Sequence, residues 1–149
     1  MKFFTLIIFV LLLTFNLSLI AGESPKSNES VKFEISVKPK SMKAGSGGEL
    51  LISLKPKEGI HINLNPPITF KFDSTDSVAP SGKLIFSKTA NAEYLDVSKP
   101  IKQSFTLSKK MKPGPLHLKG AFTYFYCSGT DGFCARFKQP VDVIITIVK

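Results

Sequence analysis

Polar and apolar residues alternate along most of the chain from Val31 onward. Val31, Phe33, Ile35 and Val37 interleave with Lys32, Glu34 and Ser36, the period-two pattern of a strand with one face buried. The same reasoning predicts strands in "ELLISLKP" (49–56), "GIHINL" (59–64), "ITFKF" (68–72), "KLIF" (83–86), "IKQSFTL" (101–107), "LHLKGAFTYFYC" (116–127) and "VDVIITIV" (141–148). Breakers such as "KAGSGG", "PKEG", "NPP" and "KPGP" separate them. No segment carries a sustained helical stripe; "TANAEYL" (89–95) is expected to make at most one turn inside a loop. The expected fold is all-β, a two-sheet antiparallel immunoglobulin-like sandwich of about eight strands. The chain has no tryptophan and no widely spaced cysteine pair of the antibody type, so its inter-sheet core is expected from 13 phenylalanines and the aliphatic runs.

The N-terminus breaks this pattern. Met1 and Lys2 precede an apolar run from Phe3 to Ile20, followed by the small residues Ala21 and Gly22 and then by polar "ESPKSNES". This reads as a secretory signal peptide over 1–21 and a flexible mature N-terminus over 22–30; an uncleaved membrane anchor is the alternative, because the run is close to a spanning length. Residues 31–149 then form one domain, a size that buries a core unaided. Export implies a periplasmic or cell-envelope location and allows disulfides. The formal charge of +9 is compatible with anionic partners. Export argues against nucleic acid, and the lysines are scattered over strand and loop positions, which suits a solvated basic surface.

Candidate chemistry concentrates in "YFYCSGTDGFCARF" (124–137), which holds both cysteines. If the flanking strands pair antiparallel through a four-residue loop, Gly129–Gly132, then Ser128 faces Phe133 and Cys127 faces Cys134. That separation is one a disulfide can bridge. Gly129, Asp131 and Gly132 suit the positive backbone angles of a tight hairpin. Such a bridge closes only eight residues and constrains the unfolded chain by about 2.5 kcal/mol at most. Cross-strand bridges also tend toward strain, and strained or exposed bridges are the more easily reduced. Arg136 and Lys138 share a strand face with Cys134, where cations favour the thiolate, whereas Asp131 opposes it. The residues leave two readings open, a redox-exchanging pair and a structural clip.

A third reading is metal binding. Two cysteines with His61 and His117 supply enough zinc ligands by count but lack paired short spacings, and Met42 and Met111 would extend the reading to copper. His61, between Ile60 and Ile62, is expected on the solvated face of its strand, as is His117. Phe122, Tyr124 and Tyr126 on one face, with Phe125 on the other, suggest an apolar cover over the adjoining cysteine. There is no GxSxG, Walker loop, HExxH or calcium loop.

The "GIHINL" segment, the "FSKTANAEYLD" loop and "GAFTYFYCSGTDGFCARFKQPVDVIITI" together resemble the N-terminal, immunoglobulin-like domain of the thiol:disulfide interchange protein DsbD, over most of residues 31–148. The resemblance implies that Cys127 and Cys134 are a redox pair, with Cys134 forming the mixed disulfides. It implies a cap loop over Lys88 to Asp96, with Tyr94 as an aromatic cover. His61 and Asn63 would stand beside the pair, within a surround completed by Tyr126, Phe133, Asp131 and Arg136. No cofactor is implied. The partners would be a thioredoxin-like or membrane-embedded thiol reductant, on a separate chain because these residues hold no CxxC, and client thiol proteins. The alternative is a secreted binding or scaffold module whose disulfide only fixes the hairpin.

Overall fold

The computed structural model describes residues 28–73 and 76–149. The expected leader, 1–21, lies outside them, as do residues 22–27 of the expected flexible segment. Among the described residues the chain forms nine strands: β1 (Val31–Lys38), β2 (Ser41–Lys43), β3 (Gly47–Pro56), β4 (Ile60–Asn63), β5 (Thr69–Phe72), β6 (Val78–Pro80), β7 (Ile101–Leu107), β8 (Gly114–Ser128) and β9 (Cys134–Val148). They form a two-sheet β-sandwich. One sheet has the order β1-β3-β7-β6; the other has β2-β9-β8-β4, with β5 also paired to β8. All pairings are antiparallel except β2 with β9, which is parallel.

Odd positions of β1 (Val31 to Val37), even positions of β3 (Leu50, Ile52, Leu54) and odd positions of β7 (Ile101, Phe105, Leu107) face inward. They meet Ile62, Leu118, Phe122, Tyr124, Val141, Ile145 and Ile147 of the second sheet. The core divides into two clusters, one around Phe122 and Tyr124, the other around Phe105 with Met42. Phe105, Phe122 and Tyr124 are wholly buried, so the aromatic residues do supply the inter-sheet filling.

Two elements differ from expectation. The segment 83–86 is not a strand: only Ile85 bonds to β7, through a reciprocal pair with Lys102 at 2.9 and 2.8 Å. Leu84 and Phe86 still pack on the core, but the chain peels away at Ser87 to build the loop that follows. Conversely, β2 and β6 span three residues each, too short for alternation to register. Packing also begins ahead of Val31. The Asn28 amide donates to the Tyr124 hydroxyl at 2.9 Å, and Ser30 accepts from the Lys57 amide at 2.9 Å, so Asn28 to Ser30 belong to the sandwich rather than to a flexible lead-in.

Burial pushes the Tyr124 hydroxyl up to about 12, because a phenolate in the core would lose its hydration. The unfolded chain therefore releases this proton near pH 10, while the folded one still holds it. Stability contributed by the neutral phenol is complete below pH 10 and is lost as pH rises toward 12. In denaturant titrations at stepped pH, Tyr124→Phe should flatten the alkaline decline of the wild type; an unchanged slope would rule out Tyr124 as its source.

Candidate functional site

The register of β8 on β9 runs without interruption from Gly114 opposite Ile147 to Cys127 opposite Cys134. The hairpin closes as its sequence predicts: the Ser128 amide donates to the Phe133 carbonyl at 2.9 Å, and the Gly132 amide donates to the Ser128 carbonyl at 3.1 Å. Within the loop Gly132 alone takes a positive φ, of 68°. Asp131 works in the turn: its amide donates to Ser128 Oγ at 3.1 Å, and that hydroxyl donates back to the carboxylate at 3.3 Å.

Because the Ser128 amide bonds across the hairpin to the Phe133 carbonyl, Cys127 and Cys134 form the adjoining non-hydrogen-bonded pair, the closer of the two cross-strand geometries. Their Cα atoms are 4.1 Å apart and the sulfurs are bonded. The disulfide thus sits at the hairpin end of the ladder, on the outer face of its sheet. Cys134 is exposed and Cys127 half-buried. The apolar cover expected over the cysteine is absent from Cys134, since the aromatic run turns Phe122, Tyr124 and Tyr126 to the core side and leaves only Phe125 beside the sulfurs.

The same parity sorts the expected surround. His61 pairs with Cys127, and Asn63 with Phe125, so both stand on the sulfur face, where His61 is exposed. Arg136 pairs with Phe125 and is exposed on that face, two residues along β9 from Cys134. Tyr126 and Phe133 do not surround the sulfurs: by alternation they lie on the opposite face, where their rings meet edge to face at 6.1 Å, Tyr126 packed against the core and Phe133 exposed.

The loop over Lys88 to Asp96 is internally braced. The Thr89 amide donates to the Tyr94 carbonyl at 3.0 Å, the Ala92 amide to the Thr89 carbonyl at 2.9 Å, and the Asp96 amide to the Ser87 carbonyl at 3.0 Å. It docks on the free edge of β4, where the Leu95 amide donates to the Ile62 carbonyl at 2.9 Å and the Leu64 amide to the Glu93 carbonyl at 3.1 Å. This puts Tyr94 beside Asn63 and stacks its ring on His61, centroids 4.8 Å apart. Tyr94 therefore stacks on one face of the exposed His61, the neighbour of Cys127, and stands two strands away from Cys134. At the loop's base the Ser98 hydroxyl and amide hydrogen-bond to Asp96 and hold its carboxyl below the usual range. A cleft of about 520 Å³ lies between loop and strand, lined by His61, Ile60, Tyr94, Asn91 and Val97 among others. Asn63 Oδ1, next to Tyr94, is buried and has no hydrogen-bond partner among the described residues.

The metal reading finds no shared site. The cysteines are bonded to each other, and His117 lies ten residues up β8 from Cys127, where its Nδ1 contacts Asp142 at 2.7 Å. Met42 is buried in the second core cluster, with Met111 packed against it. No group of three or more His, Cys, Asp and Glu suited to a metal occurs among the described residues.

The outer-face basic row went unrecognised as a unit in the sequence. Lys71, on β5, faces Ala121, while Lys138 faces Thr123; these side chains and Arg136 line a groove with Thr69, Thr123 and Asp73. Alternation placed Arg136 and Lys138 beside Cys134, but only the pairing of β5 with β8 brings in Lys71.

No protein-family model matches the chain, and no curated protein matches it. Among solved structures it is similar to the GAE domain of yeast GGA1, at 12% identity and a TM-score of 0.41, over 78% of this chain and 95% of that one. At that distance the likeness assigns no function to this chain.

Proposed function

We propose that the domain exchanges thiols through Cys127 and Cys134 in an exported, oxidising setting, taking electrons from one dithiol protein and passing them to another. The observation that carries this reading is the lopsided access to the two sulfurs. Displacement at sulfur proceeds in line, with the attacking sulfur opposite the one that leaves. The S–S bond here crosses from β8 to β9, and among the described residues no strand pairs with the outer edge of β9 at its hairpin end, since β2 meets β9 only at Thr146, Ile147 and Val148. Attack on Cys134 from that edge is open. The in-line path to Cys127 comes from the β4 side, where His61 stands under Tyr94.

In this mechanism a partner thiolate bonds to Cys134 Sγ, the Cys127–Cys134 bond breaks, and Cys127 leaves as a thiolate that takes a proton from water. The partner's second thiolate then attacks its own sulfur in the mixed disulfide and releases Cys134. The partner ends as a disulfide and the domain as a dithiol, with two electrons and two protons gained. Passing them on reverses the sequence: the Cys134 thiolate, favoured by the nearby Arg136 and Lys138, attacks a client disulfide and Cys127 resolves the adduct. The fold needs no cofactor for this chemistry.

A redox titration against glutathione or dithiothreitol buffers tests the proposal. The expected midpoint lies within the −120 to −270 mV of exchange proteins, whereas a value below about −300 mV would mark a bridge that only fixes the hairpin.

A further inference from the structure

The row Cys134, Arg136, Lys138 has a directional feature that exchange chemistry alone does not require. With Ser128 and Phe133 as a hydrogen-bonded pair, and with no break in register, alternation turns the peptide N–H and C=O groups of Cys134, Arg136 and Lys138 away from β8. Among the described residues no strand pairs with that edge. An unpaired edge is a template for an added strand. Side chains of such a strand opposite Cys134, Arg136 and Lys138 would share the sulfur face, at steps of about 7 Å.

Those positions carry charge that the fold leaves unanswered. Lys32 and Lys55 pair with Glu34, Lys102 with Glu49, Lys99 with Asp96 and Lys119 with Asp142. Arg136, Lys138 and Lys71 form no ion pair among the described residues, although they line one groove of about 450 Å³. Asp73 is the one acid in that groove, and Asp131 is engaged with Ser128 in the turn, so the row beside the open sulfur stays net positive.

We infer that the thiol partner docks with an extended acidic segment added along the β9 edge, its cysteine opposite Cys134 and its carboxylates opposite Arg136 and Lys138. This rests on the exchange reading above. The added strand delivers the attacking sulfur on the open, in-line side of Cys134. Charge matching then selects the partner and speeds encounter.

The test uses three capped peptides with the oxidised protein: Glu-Thr-Glu-Thr-Cys-Thr-Glu-Thr-Glu, and the same sequence with every Glu replaced by Lys or by Thr. Each rate of opening the Cys127–Cys134 disulfide is divided by that peptide's rate with hydroxyethyl disulfide, which removes differences in intrinsic thiol reactivity. At low ionic strength the acidic peptide should exceed the threonine peptide by about tenfold. The advantage should shrink to less than about twofold at 0.5 M salt, where the Debye length is a few ångströms. Combined Arg136→Glu and Lys138→Glu should transfer the preference to the lysine peptide; Arg136→Gln with Lys138→Gln, a milder change, should abolish it. Equal normalised rates for the three peptides would overturn the docking proposal and leave exchange standing. Failure of all three to open the disulfide would instead overturn exchange itself. Retention of the oxidised protein on phosphatidylglycerol vesicles, with no peptide preference, would overturn the proposal in favour of a lipid surface.

Discussion

Cys127→Ser should react through Cys134 with oxidised glutathione and retain the adduct, whereas Cys134→Ser should react at least about tenfold more slowly, because the surviving thiol is half-buried on an inner strand, between β4 with His61 and β9, and reaches a bulky disulfide less readily than the exposed Cys134. Intact-mass spectrometry of the purified variants over time gives both rates. The comparison is clean because either substitution removes the same bridge. That bridge closes a loop with a sequence separation of 7, and its loss costs no more than about 2.5 kcal/mol in the chain-entropy model. The hairpin is already held by a ladder running back to Gly114, so both variants should remain folded. Equal rates, or a faster Cys134→Ser, would remove Cys134 as the more accessible and reactive sulfur of the pair.

The second large effect concerns the frame that holds this hairpin. Gly120→Ala should destabilise the domain by about 3 kcal/mol, read from denaturant unfolding. A Cβ at residue 120 would lie 2.5 Å from the Lys71 carbonyl oxygen and 3.2 Å from the Phe72 Cα. Both are backbone atoms of β5, so no side-chain rotation relieves the clash, and β5 must move away from β8. Lys71 leaves the basic row with it. Gly132→Ala is the informative contrast. There an added Cβ meets nothing within 4 Å, and the cost is only that of a left-handed backbone in a non-glycine residue, about 1–2 kcal/mol. If Gly120→Ala proves as mild as Gly132→Ala, β5 is not fixed to β8 as closely as described.

Local chemistry explains how much of this was legible. The hairpin register was legible on one assumption: if the turn is four residues ending in a glycine, Cys127 falls opposite Cys134, and that is the turn the chain makes. The long strands read equally well, because a half-buried sheet imposes a period of two on every residue it contains. The segment 83–86 carries a continuous apolar run that reads as a strand and yet is none, since only Ile85 bonds to β7 before the chain leaves the edge. Tyr126 and Phe133 lie near the cysteines in sequence, but the pleat sends them to the other face. Tyr94 was expected over the pair and stands over His61, because its loop docks on the far edge of β4, one strand beyond Cys127.

By itself the sequence determined the all-β class, the inward residues of each long strand and the meeting of Cys127 with Cys134, since these depend on period and on contacts within one hairpin. Tertiary structure alone decided that Cys134 is the exposed cysteine, that Tyr94 stacks on His61 across from Cys127, and that Lys71 joins Arg136 and Lys138. Each of those depends on which strand lies beside which, and strand neighbours far apart in the chain are chosen by the burial of whole faces, a cooperative quantity that no local pattern carries.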